Sequence, residues 1–159
     1  MKKLNLLLIV FIISCGRPKS TDQEKSEIKQ RQRLEALTTA YDTVAGTYSG
    51  VMYLVEDNSK YLVELNIRVV QDEDPVTGLA LDAKLNGSLK VFERILSDDN
   101  FIVSYGITGG SYDQDTQKIS LELNDKLTLK GDATGEMVDA VLLSTIKGDV
   151  AELELERVE

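Results

Sequence analysis

Alternation of apolar and polar residues runs from about Thr47 to the end of the chain and constrains the fold more than any other feature. In the segment 61–70 every odd-numbered position is apolar or aromatic, and most even-numbered positions are polar. In the segment 150–158, Ala151, Leu153 and Leu155 alternate with glutamates. Because successive side chains of a strand point to opposite faces, the pattern predicts β-strands with one buried face each.

Clusters of Asp, Asn, Ser, Gly and Pro separate the alternating segments and predict turns. They lie at 57–60, 72–75, 97–100, 113–116 and 147–149. We therefore predict strands at about 47–56, 61–70, 79–92, 101–112, 118–124, 137–146 and 150–158. The segment 126–130 is either a further strand or a continuation of 118–124, because Leu127 keeps the parity of Leu123 in both cases.

The Asn86-Gly87 dipeptide is the strongest short hairpin signal in the chain. A two-residue turn there would place Ser88 and Lys90 on the apolar face. One continuous strand would instead keep Leu85, Leu89 and the other apolar residues on a single face. We therefore predict one long strand over 79–92, kinked at Gly87, because interior glycines suit tightly curved sheets.

Seven or eight antiparallel strands in sequence order predict an all-β domain over residues 43–159, closed into an up-and-down β-barrel that removes exposed edges. A two-sheet β-sandwich is the alternative. In architecture this pattern resembles the lipocalin-like or calycin-type barrels. The Gly-x-Trp signature of the lipocalins is not met, since the chain has no tryptophan and carries Gly46-Thr47-Tyr48 as its nearest analogue.

One helix is predicted before the barrel, from about Thr21 to Tyr41. Thr21 and Glu24 have the spacing of a capping box. Apolar residues share one face only over the last two turns, at Leu34, Leu37 and Tyr41. We expect the first half of the helix to be solvated and the second half to dock on the barrel, so that residues 15–42 form a helical tether.

The N-terminus has the features of an export signal. Lys2 and Lys3 precede an apolar run over 4–13 that is too short to span a bilayer. The sequence Ile12-Ile13-Ser14-Cys15 resembles the lipobox of bacterial lipoproteins. This resemblance implies that residues 1–14 are a cleaved signal peptide. It also implies that Cys15 is lipidated on its thiol and acylated on its new amino group.

By the same resemblance, Gly16 in place of an aspartate implies the outer membrane in an organism that has one. The alternative is that the apolar run over 4–13 is retained as an uncleaved anchor. Either way, the membrane is the first expected partner of the chain.

Charge and composition exclude several functions. The net charge is −9, and removal of Lys2 and Lys3 with the signal peptide lowers it to −11, so nucleic acid is not expected as a partner. The chain has no histidine and one cysteine, which removes the usual general base and the usual transition-metal ligands. We predict no catalysis, no metal and no cofactor.

Two functions remain open after these exclusions. The first is a structural or protein-interaction role in the bacterial cell envelope, with another envelope protein as partner. The second is the binding or carriage of a small apolar ligand in the barrel lumen. Aromatic side chains are the candidates to line such a lumen, unless they simply pack the core: Tyr48, Tyr61, Phe92, Phe101 and Tyr105.

Overall fold

A computed structural model describes residues 21–76, 80–94 and 99–158, so the predicted signal peptide and Cys15 lie outside the described residues. Helix α1 spans Thr21–Val44. The strands are β1 (Gly46–Leu54), β2 (Lys60–Glu73), β3 (Ala80–Arg94), β4 (Asp99–Ile107), β5 (Gly109–Asp113), β6 (Lys118–Asn124), β7 (Leu127–Ala133), β8 (Met137–Ser144) and β9 (Gly148–Arg157).

The strands form one antiparallel sheet in the order β4-β3-β2-β1-β9-β8-β7-β6-β5. Each strand pairs with its neighbour in the chain, except that β4 and β5 follow one another without pairing. The first strand also pairs with the last, from Tyr48 opposite Arg157 to Leu54 opposite Ala151. The sheet therefore curves into a nearly closed barrel, which confirms the predicted all-β barrel preceded by one helix.

The described strands number nine rather than seven or eight because the predicted strand at 101–112 is divided at Thr108. Ile107, the last residue of β4, is opposite Gly87 on β3. The Thr108 amide instead donates to the Glu122 carbonyl of β6, with an N–O distance of 2.9 Å. The chain thus pairs with β3 up to Ile107 and with β6 from Thr108 onward. This change of partner brings the two terminal strands of the sheet, β4 and β5, together in the chain.

The barrel interior is occupied by a single cluster of buried side chains that come from the inward-facing positions of the strands. Leucines dominate the positions that solvent does not reach. The fully buried leucines are Leu65, Leu85, Leu89, Leu121, Leu129, Leu153 and Leu155. On β9 the buried Ala151, Leu153 and Leu155 alternate with exposed glutamates, as the sequence pattern predicted.

Two open points about the strands are resolved by the pairing. Residues 80–94 form one strand that passes through Asn86-Gly87 without a turn, which confirms the prediction from parity. Gly87 has φ 142° and lies opposite Ile67 on β2 and Ile107 on β4. The second point concerns 126–130, which belongs to a separate strand, β7, paired with β6.

Helix α1 docks on the barrel through its C-terminal half. Residues 21–33 are exposed, whereas Tyr41 and Val44 are buried and Leu37 is partly buried against the core. The helix packs against β2, β3 and β5, and Gln71 of β2 donates a hydrogen bond to the Thr38 hydroxyl at 3.3 Å. The helix continues past the predicted end at Tyr41 because Val44 also has a place in the core. Within the described part of the chain, no helix combines the length and apolarity that crossing a membrane requires.

Gly87 on β3 and Gly106 on β4 provide a matched test of how closely β2 approaches Gly87. A Cβ at Gly87 would lie 1.9 Å from the Asn66 carbonyl oxygen, and its φ is unfavourable for other residues, whereas a Cβ at Gly106 would meet no atom within 4 Å. We expect Gly87→Ala to lower the free energy of unfolding by about 2–4 kcal/mol. Gly106→Ala should change it by less than about 0.5 kcal/mol. Urea denaturation measures both, and equal effects would contradict the close approach of β2 to Gly87.

Candidate functional site

The aromatic residues that were candidates to line a lumen lie partly in the core and partly on the outer surface of the barrel. Tyr48 is fully buried at the α1 end of the barrel, and Tyr61 and Tyr105 are partly buried against the core. Phe92 follows the buried Val91 and therefore points to the outer face. There it meets Phe101, with ring centroids 6.0 Å apart and an interplanar angle of 70°. Phe101 is 58% exposed, so this aromatic pair is part of the outer surface.

Tyr48 joins α1 to the sheet. Its hydroxyl donates to the Val44 carbonyl at the C-terminus of α1, with an O–O distance of 3.0 Å. That bond satisfies one of the carbonyls that a helix leaves unpaired at its end. Burial raises the pKa of the Tyr48 hydroxyl, and the nearby Arg157 opposes that rise.

Arg157, the last residue of β9, completes the same junction. Its guanidinium carbon lies 5.4 Å from the centroid of the Tyr48 ring, as a cation over an aromatic face does. Its Nη2 donates to the Ala45 carbonyl between α1 and β1. Its Nε is buried without a hydrogen-bond partner among the described residues. Cross-strand pairing of Tyr48 with Arg157 therefore ties the last strand to the helix.

Sequence reasoning named Tyr48 but missed Arg157. A signal was present, since 157 has the same parity as the inward-facing Leu153 and Leu155. A charged residue at an inward position at the end of a strand indicates a specific polar contact. The identity of that contact depends on the β1–β9 pairing, which parity does not reveal.

A groove of about 600 Å³ lies outside the barrel, between α1 and the β2–β3 hairpin. Its apolar part includes Leu34, Ala80 and Leu81, and charged residues such as Arg31 and Glu35 stand at its rim. Leu81 is about half exposed. The groove is therefore an open surface feature and is separate from the barrel interior.

One outward-facing row around the barrel divides into an apolar and an acidic part. The apolar part consists of Val51, Leu62, Phe92 and Phe101, each opposite the next on neighbouring strands. We call these four residues the apolar row.

The acidic part of the same row lies on β7, β8 and β9. Asp132 is opposite Asp139, and Asp139 is opposite Glu154, while Glu154 is opposite Val51 at the end of the apolar row. Lys118 pairs with Asp132 at 2.6 Å. Like charges placed directly opposite each other destabilise a sheet slightly, so the acidic row does not stabilise the fold.

Carboxylates in the turns hold the backbone. Asp113 Oδ1 accepts hydrogen bonds from the amides of Asp115 and Thr116, at 3.0 and 3.2 Å. The bond from Thr116 is the main reason that the pKa of Asp113 is lowered. Among the residues that the structure describes, no group of three or more His, Cys, Asp or Glu side chains could hold a metal ion.

Comparison with known proteins finds no family model that matches this chain. No curated protein sequence matches it at a significant level either.

Tyr48→Phe tests the junction between α1 and the sheet. At neutral pH we expect a loss of about 1 kcal/mol in the free energy of unfolding, because the Val44 carbonyl loses its donor. The raised pKa of Tyr48 means that the unfolded state loses its proton first above about pH 10. The contribution of Tyr48 to the free energy of unfolding is therefore fully present below that pH, and it is lost as the pH rises through the folded-state pKa.

The difference in the free energy of unfolding between wild type and Tyr48→Phe should accordingly become smaller above about pH 10. Urea denaturation at pH 7 and pH 10.5 measures it, and Tyr53→Phe serves as the matched control because Tyr53 lies under Lys60 on the outer face. The control should cost less than about 0.5 kcal/mol at pH 7. A difference that grows with pH would contradict the assignment.

Proposed function

We propose that the chain is a non-catalytic lipoprotein of the bacterial cell envelope, anchored at the outer membrane through lipid on Cys15, and that it acts through protein contacts of its outer surface. One observation carries the second part of this proposal. Inward-facing positions of the barrel are filled by buried aliphatic side chains. Because the interior is a core, the surfaces left for binding are on the outside.

Side-chain chemistry supports a role without catalysis. The chain has no histidine, and its one cysteine is the residue of the lipobox. Asp57 and Asp113 have lowered pKa values, and in each case a hydrogen bond within the turn is the cause: from Ser59 to Asp57 and from Thr116 to Asp113. Both carboxyl groups are thus accounted for by turn structure.

The arrangement of α1 supports the role of a spacer. Its exposed half precedes the half that docks on the barrel, so the barrel stands beyond the end nearest to Cys15. A helix rises about 1.5 Å per residue, so residues 21–26, which precede the groove between α1 and the β2–β3 hairpin, add a length of roughly 9 Å. Together with the acidic row, which an anionic lipid surface would repel, this spacing would keep the barrel away from the bilayer.

Mass spectrometry of the full chain, expressed in a bacterium, tests the anchor. We expect a membrane-fraction protein whose first residue is Cys15, with the mass of a lipid modification on the N-terminal peptide. Cys15→Ser should abolish both the cleavage and the modification. Ser14→Ala is the matched control, because alanine keeps a small residue before the cysteine and should be processed normally.

An unmodified mature chain that begins at another residue would refute the lipoprotein assignment. So would a Cys15→Ser variant that is cleaved and lipidated like the wild type.

A further inference from the structure

We propose that copies of this chain associate with one another through opposite charges. Three basic residues on the exposed half of α1 in one copy lie across three glutamates on the outer face of β9 in the next copy. The inference goes beyond the proposed function, because it names the partner as a second copy of the chain, and it does not depend on whether Cys15 carries lipid.

Three glutamates at alternate positions of β9 face outward, and all three are exposed. We call Glu152, Glu154 and Glu156 the glutamate stripe. Their neighbours on β1 and β8 are either uncharged or acidic: Ser49, Val51, Tyr53, Met137, Asp139 and Val141. Within the described part of the chain, none of the three glutamates forms an ion pair.

Two other carboxylates on the outer face of the barrel have a lysine directly opposite them. Lys90 on β3 pairs with Glu64 on β2 at 2.6 Å, and Lys118 on β6 pairs with Asp132 on β7, also at 2.6 Å. Opposite charges at such positions stabilise a sheet, whereas like charges destabilise it. The glutamate stripe has no lysine of this kind on β1 or β8, so its charge is available to a partner.

The exposed half of α1 carries three basic residues at intervals of four. We call Lys25, Lys29 and Arg33 the basic stripe, and all three are exposed. Residues four apart are neighbours on a helix surface, and like charges at that spacing destabilise a helix. No carboxylate lies four residues from any member of the stripe, and none of the three forms an ion pair with another described residue. The basic stripe therefore does not stabilise the helix of a single chain.

The acidic residues of the same part of α1 are placed elsewhere. Glu27 and Glu35 line the groove between α1 and the β2–β3 hairpin together with Arg31, whereas no member of the basic stripe lines that groove. Asp22 and Glu24 lie in the first turn, where the helix dipole favours negative charge. The basic stripe is therefore a surface of one sign, although the helix as a whole carries both.

The two stripes match in length. Alternate residues of an antiparallel strand are about 6.8 Å apart, and residues four apart in a helix are about 6 Å apart along its axis. Each stripe therefore extends over roughly 12–14 Å. A surface depression of about 420 Å³ adjoins Glu154 and Glu156 and is lined by Val51 and Met137. Ile28, beside the basic stripe, is 55% exposed, so it provides an apolar contact for this depression.

Charge complementarity selects a second copy as the occupant. Helix α1 packs on β2, β3 and β5 of its own barrel, and no ion pair joins the two stripes among the described residues of one chain. Another copy brings the complementary stripe at the matching spacing. Because the helix surface and the strand surface differ, the interface is heterologous.

Sedimentation equilibrium of the full chain, in detergent at matched density and at low salt, tests the association. The wild type should have at least twice the protein mass of a single chain. Lys29→Glu and Glu154→Lys each bring like charges together at the centre of the interface, and each should weaken association by about tenfold or more. Lys126→Glu is the matched control, because Lys126 is exposed between β6 and β7 and outside both stripes; it should leave association unchanged.

A charge swap identifies the contact. In an equimolar mixture of Lys29→Glu and Glu154→Lys, the helix of each variant meets a strand of opposite charge on the other, so the mixture should associate like the wild type. The chain with both substitutions should do the same.

A monomeric wild type would overturn the proposal, and so would a wild-type oligomer that persists in both single variants. Loss of association in both variants without recovery in the mixture would also overturn it, because the two stripes would then not contact each other. A monomer that retains a different basic protein, lost in Glu154→Lys, would assign the glutamate stripe to that protein instead.

Discussion

Pairing between the first and the last strand is the constraint on which the rest of the structure depends. With β1 opposite β9 from Tyr48 to Leu54, the sheet curves around one interior, and the alternating apolar residues of its strands meet there. Burial of apolar side chains is the main favourable contribution to folding. The chain has one cysteine, so an intramolecular disulfide is excluded. Packing and hydrogen bonding must therefore hold the barrel together.

The same pairing also attaches the helix. It places Arg157 opposite Tyr48. Arg157 donates a hydrogen bond to the Ala45 carbonyl and Tyr48 donates one to the Val44 carbonyl, at the end of the helix. The helix then lies over the region between β3 and β5, where the sheet is not continuous. The chain thus covers this discontinuity with its own helix.

Much of this fold follows from residue parity. The period of two identified the strands, and it also showed that Asn86-Gly87 lies inside a strand, because a turn there would have placed Ser88 and Lys90 among apolar residues. Parity cannot show which strands are neighbours. The division at Thr108 depends on a change of partner from β3 to β6. The buried positions change there from the odd-numbered Ile107 to the even-numbered Tyr112, but a change of parity does not show that the strand changes partner. The sequence therefore predicts 101–112 as one strand.

The surfaces were harder to predict than the core. Phe92 and Phe101 were candidates to line a lumen because aromatic residues usually contribute buried area, yet both belong to the outer apolar row. Phe92 follows the buried Val91 and therefore faces outward. The position of Phe101 opposite Phe92 depends on a β-bulge, which only the strand pairing reveals. The acidic row likewise arises from cross-strand register, since Asp132, Asp139 and Glu154 are distant in sequence.

The barrel interior holds one cluster of buried side chains, and we propose that binding takes place on the outside of the barrel. Nuclear Overhauser effects between a saturated medium-chain fatty acid and the methyl groups of the full chain distinguish a packed interior from a ligand-binding lumen. We predict no effects to the interior methyl groups of Leu89, Leu121 and Leu129 at stoichiometric fatty acid. Saturable effects to those three methyl groups would contradict the claim and would establish a ligand-binding lumen.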